Sequence, residues 1–233
     1  MKSIAIIPAR IGSKRIKEKN IKKFNNFPII SYPIKIAQNS NLFDKIIVST
    51  DSNKIANIAS KYGAEVPFLR PKKISDDYSH SNEVVKHSLE FYRKYKINFK
   101  YVCCIYPTAP FIKQSYLKKG LSYIKNKKIN FAFPIVKYNY PIQRSLKINN
   151  TNLVKPFFKG KLHKTSNLLQ DSYHDVGQFY WGKYESFMKN KNIFSDNSKG
   201  IIIPDYLSHD IDDLDDWKRA ELFFSFLKKR NML

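Results

Sequence analysis

Cysteine is close to absent: the chain of 233 residues holds two, Cys103 and Cys104. Side by side in an apolar run, they would point to opposite faces of a strand, a poor geometry for a disulfide. There is no CxxC and no Cys/His metal spacing, and His80, His163 and His174 show no ligand spacing among themselves. A disulfide scaffold and a zinc module are therefore excluded, and both thiols are expected to be buried structural groups. Long apolar runs are missing too. None approaches the roughly 20 residues that a membrane span requires. The start, Met1 to Pro8, has neither the long apolar middle nor the small-residue cleavage site of a signal peptide. The expectation is a cytoplasmic protein without a membrane partner. Acidic residues are few, 19 against 42 Lys and Arg, which leaves a formal net charge of +23. Such an excess favours anionic partners. The lysines are scattered, however, and no helix-turn-helix, zinc-finger or RNP-like signature accompanies them. A basic nucleic-acid-binding protein is the rival reading from another class, and charge alone does not carry it.

What is present is ample core material: 42% hydrophobic and 15% aromatic residues, which excludes wholesale disorder. Apolar runs and helical patterns alternate. Strands are expected at Ile4–Ile7, Lys45–Thr50, Tyr101–Tyr106 and Phe131–Val136, with helices near 28–40, after Asp51, over 82–95 and around Leu117, Leu121 and Ile124. Asp51 reads as a helix cap and Gly63 as the residue just past that helix's end. This rhythm predicts an α/β/α sandwich with a mostly parallel sheet. Residues 137–177 break the rhythm. Ile142, Arg144, Leu146 and Ile148 alternate before the Asn149–Asn152 turn, which reads as a protruding hairpin serving as a lid or an oligomer contact. Strands return at Gln178–Trp181 and Gly200–Pro204. A last helix, about 214–229, carries Leu214, Trp217, Phe224 and Leu227 on one face. No linker or repeat divides the chain, so 1–233 reads as one domain.

In such sheets ligands bind beyond the carboxyl ends of strands. The loop after the first strand, Pro8-Ala9-Arg10-Ile11-Gly12-Ser13-Lys14-Arg15 followed by Lys17, Lys19 and Asn20, offers cations, a glycine and free backbone amides. That set suits a polyphosphate, although neither GxxxxGK[ST] nor GxGxxG is present. Near the other end, five of the 19 acidic residues fall within 210–216. Asp210 and Asp212 would share a face of an extended segment, as two carboxylates holding Mg²⁺ do. Asp213, Asp215 and Asp216 read as helix-capping residues. Tyr106-Pro107-Thr108-Ala109-Pro110 is a rigid loop beyond the third strand, and Ser81 reads as an N-cap or as part of a site with Arg70. His174-Asp175-Val176-Gly177-Gln178-Phe179-Tyr180-Trp181 mixes polar groups with aromatics, as sugar sites do, and as core edges also do. No Ser/His/Asp ordering with a nucleophile elbow occurs.

Taken together, IIPARIGSKR with KN at 19–20, STD at 49–51, YGAEVPFLRP at 62–71 and IDDLDDWKRAE at 211–221 resemble the cytidylyltransferases that activate acidic sugars, the acylneuraminate group. The order is the same and the likeness covers nearly the whole chain. Within the group, CCIYPTAPF (103–111), YPIQRSLK (140–147) and YHDVGQFYWG (173–182) are most similar to the branch acting on pseudaminic acid. Members acting on sialic acid carry Gln-Pro-Thr-Ser-Pro where this chain has Tyr106 onward. One departure is Lys164-Thr165-Ser166-Asn167, where close relatives carry Arg-Ser-Gln.

The resemblance implies a nucleotide-diphospho-sugar transferase fold, a homodimer built through 137–177, and CTP, Mg²⁺ and a nonulosonic acid as partners. It implies that Arg10 and Lys19 act in catalysis and, with Gly12 and Ser13, hold the triphosphate. Asn20, Arg70 and Ser81 would address the cytidine. Asp210 and Asp212 would ligate Mg²⁺. Tyr106, Gln143, Arg144, Gln178 and Tyr180 match the segments that meet the sugar. The implied reaction is CMP transfer to pseudaminic acid for surface glycoconjugates such as flagellin. The same chemistry on sialic or legionaminic acid is the near alternative, and a catalytically silent scaffold the remote one.

Overall fold

The computed structural model describes residues 2–76, 79–158, 165 and 168–233. Lys164, Ser166 and Asn167, where the chain departs from the family pattern, lie outside the described residues. The first strand, β1 (Ser3–Pro8), leads through the basic loop into a minimal hairpin, β2 (Lys23–Phe24) and β3 (Phe27–Pro28). Asn25 and Asn26 make its turn at φ 42° and 74°, a backbone region that Asn tolerates. This hairpin moves the start of α1 (Ser31–Ser40) three residues past the expected position. Next come β4 (Lys45–Ser49), α2 (Asn53–Lys61), α3 (Ser81–Lys94), β5 (Tyr101–Ile105), α4 (Gln114–Ile124) and β6 (Phe131–Lys137). The hairpin β7 (Leu146–Ile148) and β8 (Val154–Pro156) forms a separate two-stranded sheet. The chain closes with β9 (Tyr173–Asp175), β10 (Phe179–Lys183), α5 (Tyr184–Met188), β11 (Ser198–Ile202) and α6 (Leu214–Lys229).

The main sheet runs β11-β6-β10-β5-β1-β4, with β9 also on β6. Its pairings leave β4, β1, β5, β6 and β11 pointing one way, while β10 and β9 oppose them. The sheet is therefore mostly parallel, as expected. Side chains alternate between two cores. Ala5, Ile7, Val48, Cys103 and Ile105 pack under α1, α2, α4 and α6. Ile4, Ile6, Ile47, Val102 and Cys104 pack under α3 and α5. The adjacent cysteines thus serve opposite cores, fully buried and unpaired, and burial pushes both thiols up, Cys104 to about 12. Each fully buried Ile or Phe contributes roughly 1.5–3 kcal/mol of transfer free energy. Gly182 on β10 is required by close approach: a Cβ there would lie 2.6 Å from Phe187 and 2.7 Å from Phe131.

Three local expectations are corrected. Ser52, not Asp51, caps α2, accepting from the Ile55 amide. Asp51 is turned toward the basic loop instead. Ser81 is the first residue of α3 rather than its cap, a place taken by His80, whose amide donates to Glu83. Leu214 is half exposed; Trp217, Ala220, Phe224 and Leu227 form the buried stripe of α6. Asp213 caps α6 as expected, accepting from the amides of Asp215 and Asp216, and Gly63 takes φ 88° past the end of α2. No helix among the described residues is long and apolar enough to cross a membrane.

Candidate active site

The carboxyl ends of β1 and β5 and the start of α3 enclose a cavity of about 450 Å³. Arg10, Lys14, Arg15, Lys19 and Arg70 line it, against Asp76 and Asp212. The cleft is therefore positive in its own right, beyond the charge of the chain as a whole.

The basic loop is held from behind. Ile16 and Ile21 are buried in the core. The Asn20 side-chain amide donates to the Arg10 carbonyl at 2.8 Å, and the Ile11 amide donates to Asp51 Oδ1 at 3.0 Å. Glu18 takes the left-handed backbone, φ 52°, ahead of the single turn Lys19–Ile21. With the apolar residues inward, Arg10, Ser13, Lys14, Arg15 and Lys19 face the cavity. Gly12 sits beside it, and a Cβ there would reach Arg10 Nη1 only at 3.8 Å, an ordinary contact.

Lys19 bridges the two ends of the sequence. Its Nζ donates to the Ile211 carbonyl at 2.7 Å and stands 3.7 Å from Asp212 Oδ1. Burial lowers its pKa, and the charges of Asp212 and Asp210 oppose that shift. Arg15 reaches the same Asp212 oxygen at 2.8 Å. Ile211 is buried, so Asp210 and Asp212 stand together on the outer side of this extended segment, as the sequence predicts. Burial, then the neighbouring Asp212, pushes the Asp210 carboxyl up, and Lys19 opposes. Asp212 lines the cavity; Asp210 does not line it, but its charge acts on Asp212 and Lys19. No cluster of three or more metal-ligating side chains occurs among the described residues. Asp212 on a cation-lined cleft, with Asp210 two residues away, nevertheless fits Mg²⁺, which takes one or two protein carboxylates and completes its shell with phosphate and water.

On the opposite wall, Arg70 is only 5% exposed. Its Nε donates to Ser75 Oγ at 3.0 Å, and its own amide donates to the Thr50 carbonyl at 2.7 Å. Burial lowers its pKa, Asp51 opposes, and Arg10 adds to the lowering. Ser81 Oγ donates to the Tyr106 hydroxyl at 3.2 Å, and both line the cavity. The remaining sugar-side candidates do not line it. Gln178 is buried behind Tyr106 with its amide donated to the Leu207 carbonyl at 2.6 Å. Tyr180 is buried with its ring 5.5 Å from that of Tyr106. Gln143 and Arg144 stand on the turn Ile142–Arg144 of the protruding segment, where Gln143 donates to the Gln170 carbonyl at 3.0 Å. Arg15 and Thr108 belong to the loops the sequence points to but receive no role of their own there, and the support from Asp51 is not foreseen. Arg15 had a signal, its place five residues after Arg10 in the same loop.

Residues 4–213 match the family model described as Cytidylyltransferase. The chain belongs to the cytidylyltransferase family. It is 38% identical over 224 residues, 96% of this chain and 97% of the relative, to the pseudaminic acid cytidylyltransferase of Campylobacter jejuni. It is 32% identical, over 95% of each chain, to the CMP-N,N'-diacetyllegionaminic acid synthase of Legionella pneumophila. In fold, this cytidylyltransferase matches the structure of CMP:2-keto-3-deoxy-manno-octonic acid synthetase complexed with CTP. That match has a TM-score of 0.70 at 11% identity and covers 97% of this chain and 99% of the other. The nucleotide-sugar transferase-like α/β fold is thereby established.

Proposed function

We propose that this cytidylyltransferase transfers CMP from CTP to the anomeric hydroxyl of pseudaminic acid, releasing pyrophosphate, in the cytoplasm and as a homodimer. The observation that carries the sugar assignment is the 38% identity to the Campylobacter jejuni enzyme over nearly the whole of both chains. The cleft supports the chemistry. The anomeric oxygen forms a bond to the α-phosphorus as the bond from that phosphorus to the β-phosphate bridging oxygen breaks. Positioning and charge neutralisation dominate such a transfer. In this reading Arg10 and Lys19, with Gly12 and Ser13, grip the triphosphate, and the two cations meet charge growing on the departing pyrophosphate. Asn20, Arg70 and Ser81 address the cytidine. Tyr106 faces the sugar acid, with Gln178 and Tyr180 setting its position and Gln143 and Arg144 reaching from the protruding segment. Asp210 and Asp212 would hold Mg²⁺, which supplies further charge neutralisation when bound.

The test is pyrophosphate release from CTP with pseudaminic, legionaminic and N-acetylneuraminic acids in turn, UTP and ATP serving as controls. Release is expected with CTP and pseudaminic acid alone. Release with another acid keeps the chemistry and overturns the sugar. Salt-resistant RNA binding without CTP binding by folded protein overturns the whole reading in favour of the nucleic-acid rival.

Dimerisation is assigned to 137–177 because β7 and β8 expose Leu146, Ile148 and Val154, each more than half accessible. Aspartate at both Ile148 and Val154 is expected to convert the dimer to a monomer in sedimentation equilibrium. An unchanged mass with both substitutions would place the interface elsewhere.

A further inference from the structure

Among the described residues, five cations line the cavity, and one of them is bonded to a carboxylate that lines it too. Arg15 Nη2 donates to Asp212 Oδ1 at 2.8 Å, joining two loops from opposite ends of the sequence. Lys19 Nζ stands 3.7 Å from the same oxygen, so Asp212 is shared between two cations. The two are held differently. The Lys19 side chain is 20% exposed, and its ammonium is fixed on the Ile211 carbonyl at 2.7 Å. The Arg15 side chain is 65% exposed. Exposed side chains change rotamer within nanoseconds, and an ion pair so open to water holds weakly. When Arg15 swings away, Lys19 still offsets the Asp212 charge.

Both members of the pair have a second use. A guanidinium fork matches phosphate oxygens as well as it matches a carboxylate, and Arg15 lines the same wall as Arg10, Ser13 and Lys14. An Asp212 oxygen that accepts from Arg15 is less available to a divalent cation, which the same guanidinium also repels. We propose that Arg15 is a further nucleotide-binding residue, latched on Asp212 and passed to the triphosphate when CTP enters, so that one movement adds a cation to the phosphates and releases a carboxylate for the metal. The assignment rests on the readings that this cleft seats CTP and that Asp212 is a Mg²⁺ ligand. Its thermodynamic consequence is reciprocal. Nucleotide and metal each need the pair opened, so whichever binds first removes that cost for the other, and the two reinforce one another by the same factor.

The deciding measurement is CTP affinity of the full chain by calorimetry in EDTA, where no metal contributes. Asp212→Asn should tighten CTP binding about three- to fivefold, the most that so exposed a pair holds back. Arg15→Gln should weaken it about tenfold, the loss of one charge-assisted hydrogen bond. In the Arg15→Gln background, Asp212→Asn should change the affinity by no more than about twofold, because its benefit runs through Arg15. An equal gain in both backgrounds makes Asp212 merely a negative charge near the phosphates and overturns the latch. So does no gain in either, or an unchanged CTP affinity in folded Arg15→Gln protein. Mn²⁺ binding, read by electron paramagnetic resonance, gives the reciprocal test. Without nucleotide, Arg15→Gln protein should bind Mn²⁺ about three- to fivefold more tightly than the parent. With saturating CTP the two should agree within about twofold. Weaker Mn²⁺ binding by the variant without nucleotide makes Arg15 a support of the metal site and also overturns the latch. Parental protein that binds CTP but no Mn²⁺ under either condition defeats the metal reading, while the cycle in EDTA still decides what Arg15 does. Parental protein that binds no CTP defeats the nucleotide reading and the latch together.

Discussion

Replacing Asp212 by Asn is expected to cut kcat/KM for pyrophosphate release by about 10²–10³-fold, the usual cost of one electrostatic contact in a group-transfer site, while the protein stays folded. The structural ground for that separation is explicit. The Asp212 side chain is 41% exposed and its partner Arg15 65% exposed, and ion pairs so open to water contribute only about 0–1 kcal/mol. Asparagine also relieves repulsion from Asp210, and the Asp212 amide keeps its bond to Asp216 Oδ2 at 3.1 Å. Ile211 remains the buried anchor of the segment. The thermal midpoint should therefore barely move while turnover collapses, and Mn²⁺ binding in the presence of CTP, read by electron paramagnetic resonance, should weaken in parallel. Near-normal turnover by folded Asp212→Asn protein would remove this residue from the metal site.

Much of this was legible in the sequence because it depends on short-range pattern. Strand alternation alone places Cys103 and Cys104 under opposite cores. An extended segment with one apolar residue between two carboxylates put Asp210 and Asp212 on one face. The Asn149–Asn152 turn between apolar pairs marked the β7–β8 hairpin. What escaped depends on direction and on contacts distant in sequence. Local pattern carries no strand direction, so β10 was visible as a strand but not as an antiparallel insertion between β5 and β6. Three residues of β9 are too few to show a period. Gln178 matched a sugar-contacting segment, yet its amide is taken by the carbonyl of Leu207, 29 residues away. Asp51 and Ser52 are both good caps by type. Only the fold brings the Ile11 amide within 3.0 Å of Asp51, which leaves the cap to Ser52 and makes Asp51 a strut of the basic loop.

Lys19→Met is expected to lower kcat/KM for CTP by about 10²–10³-fold. Methionine keeps the apolar stem and removes only the charge. The loop's hold on the core does not depend on that charge, since Ile16 and Ile21 anchor it and Asn20 ties it to Arg10. The cost to the fold is one unmet carbonyl, Ile211, against relief of burying an ammonium whose pKa burial already lowers. The kinetic split then decides what Lys19 does. In free enzyme its charge is shared with Asp212 and Ile211, so it is poised at the mouth rather than spent in a closed ion pair. If that charge meets the pyrophosphate mainly as it departs, the loss falls on kcat; a grip equal in ground and transition states would fall on KM alone. The predicted result is the first, measured by pyrophosphate release with CTP varied at saturating sugar acid. A KM-only effect would reassign Lys19 to holding the triphosphate and leave Arg10 as the cation of the transition state. On that outcome Lys19→Arg, which keeps the charge but spreads it over a planar fork, should recover the KM for CTP, with kcat unchanged in both variants.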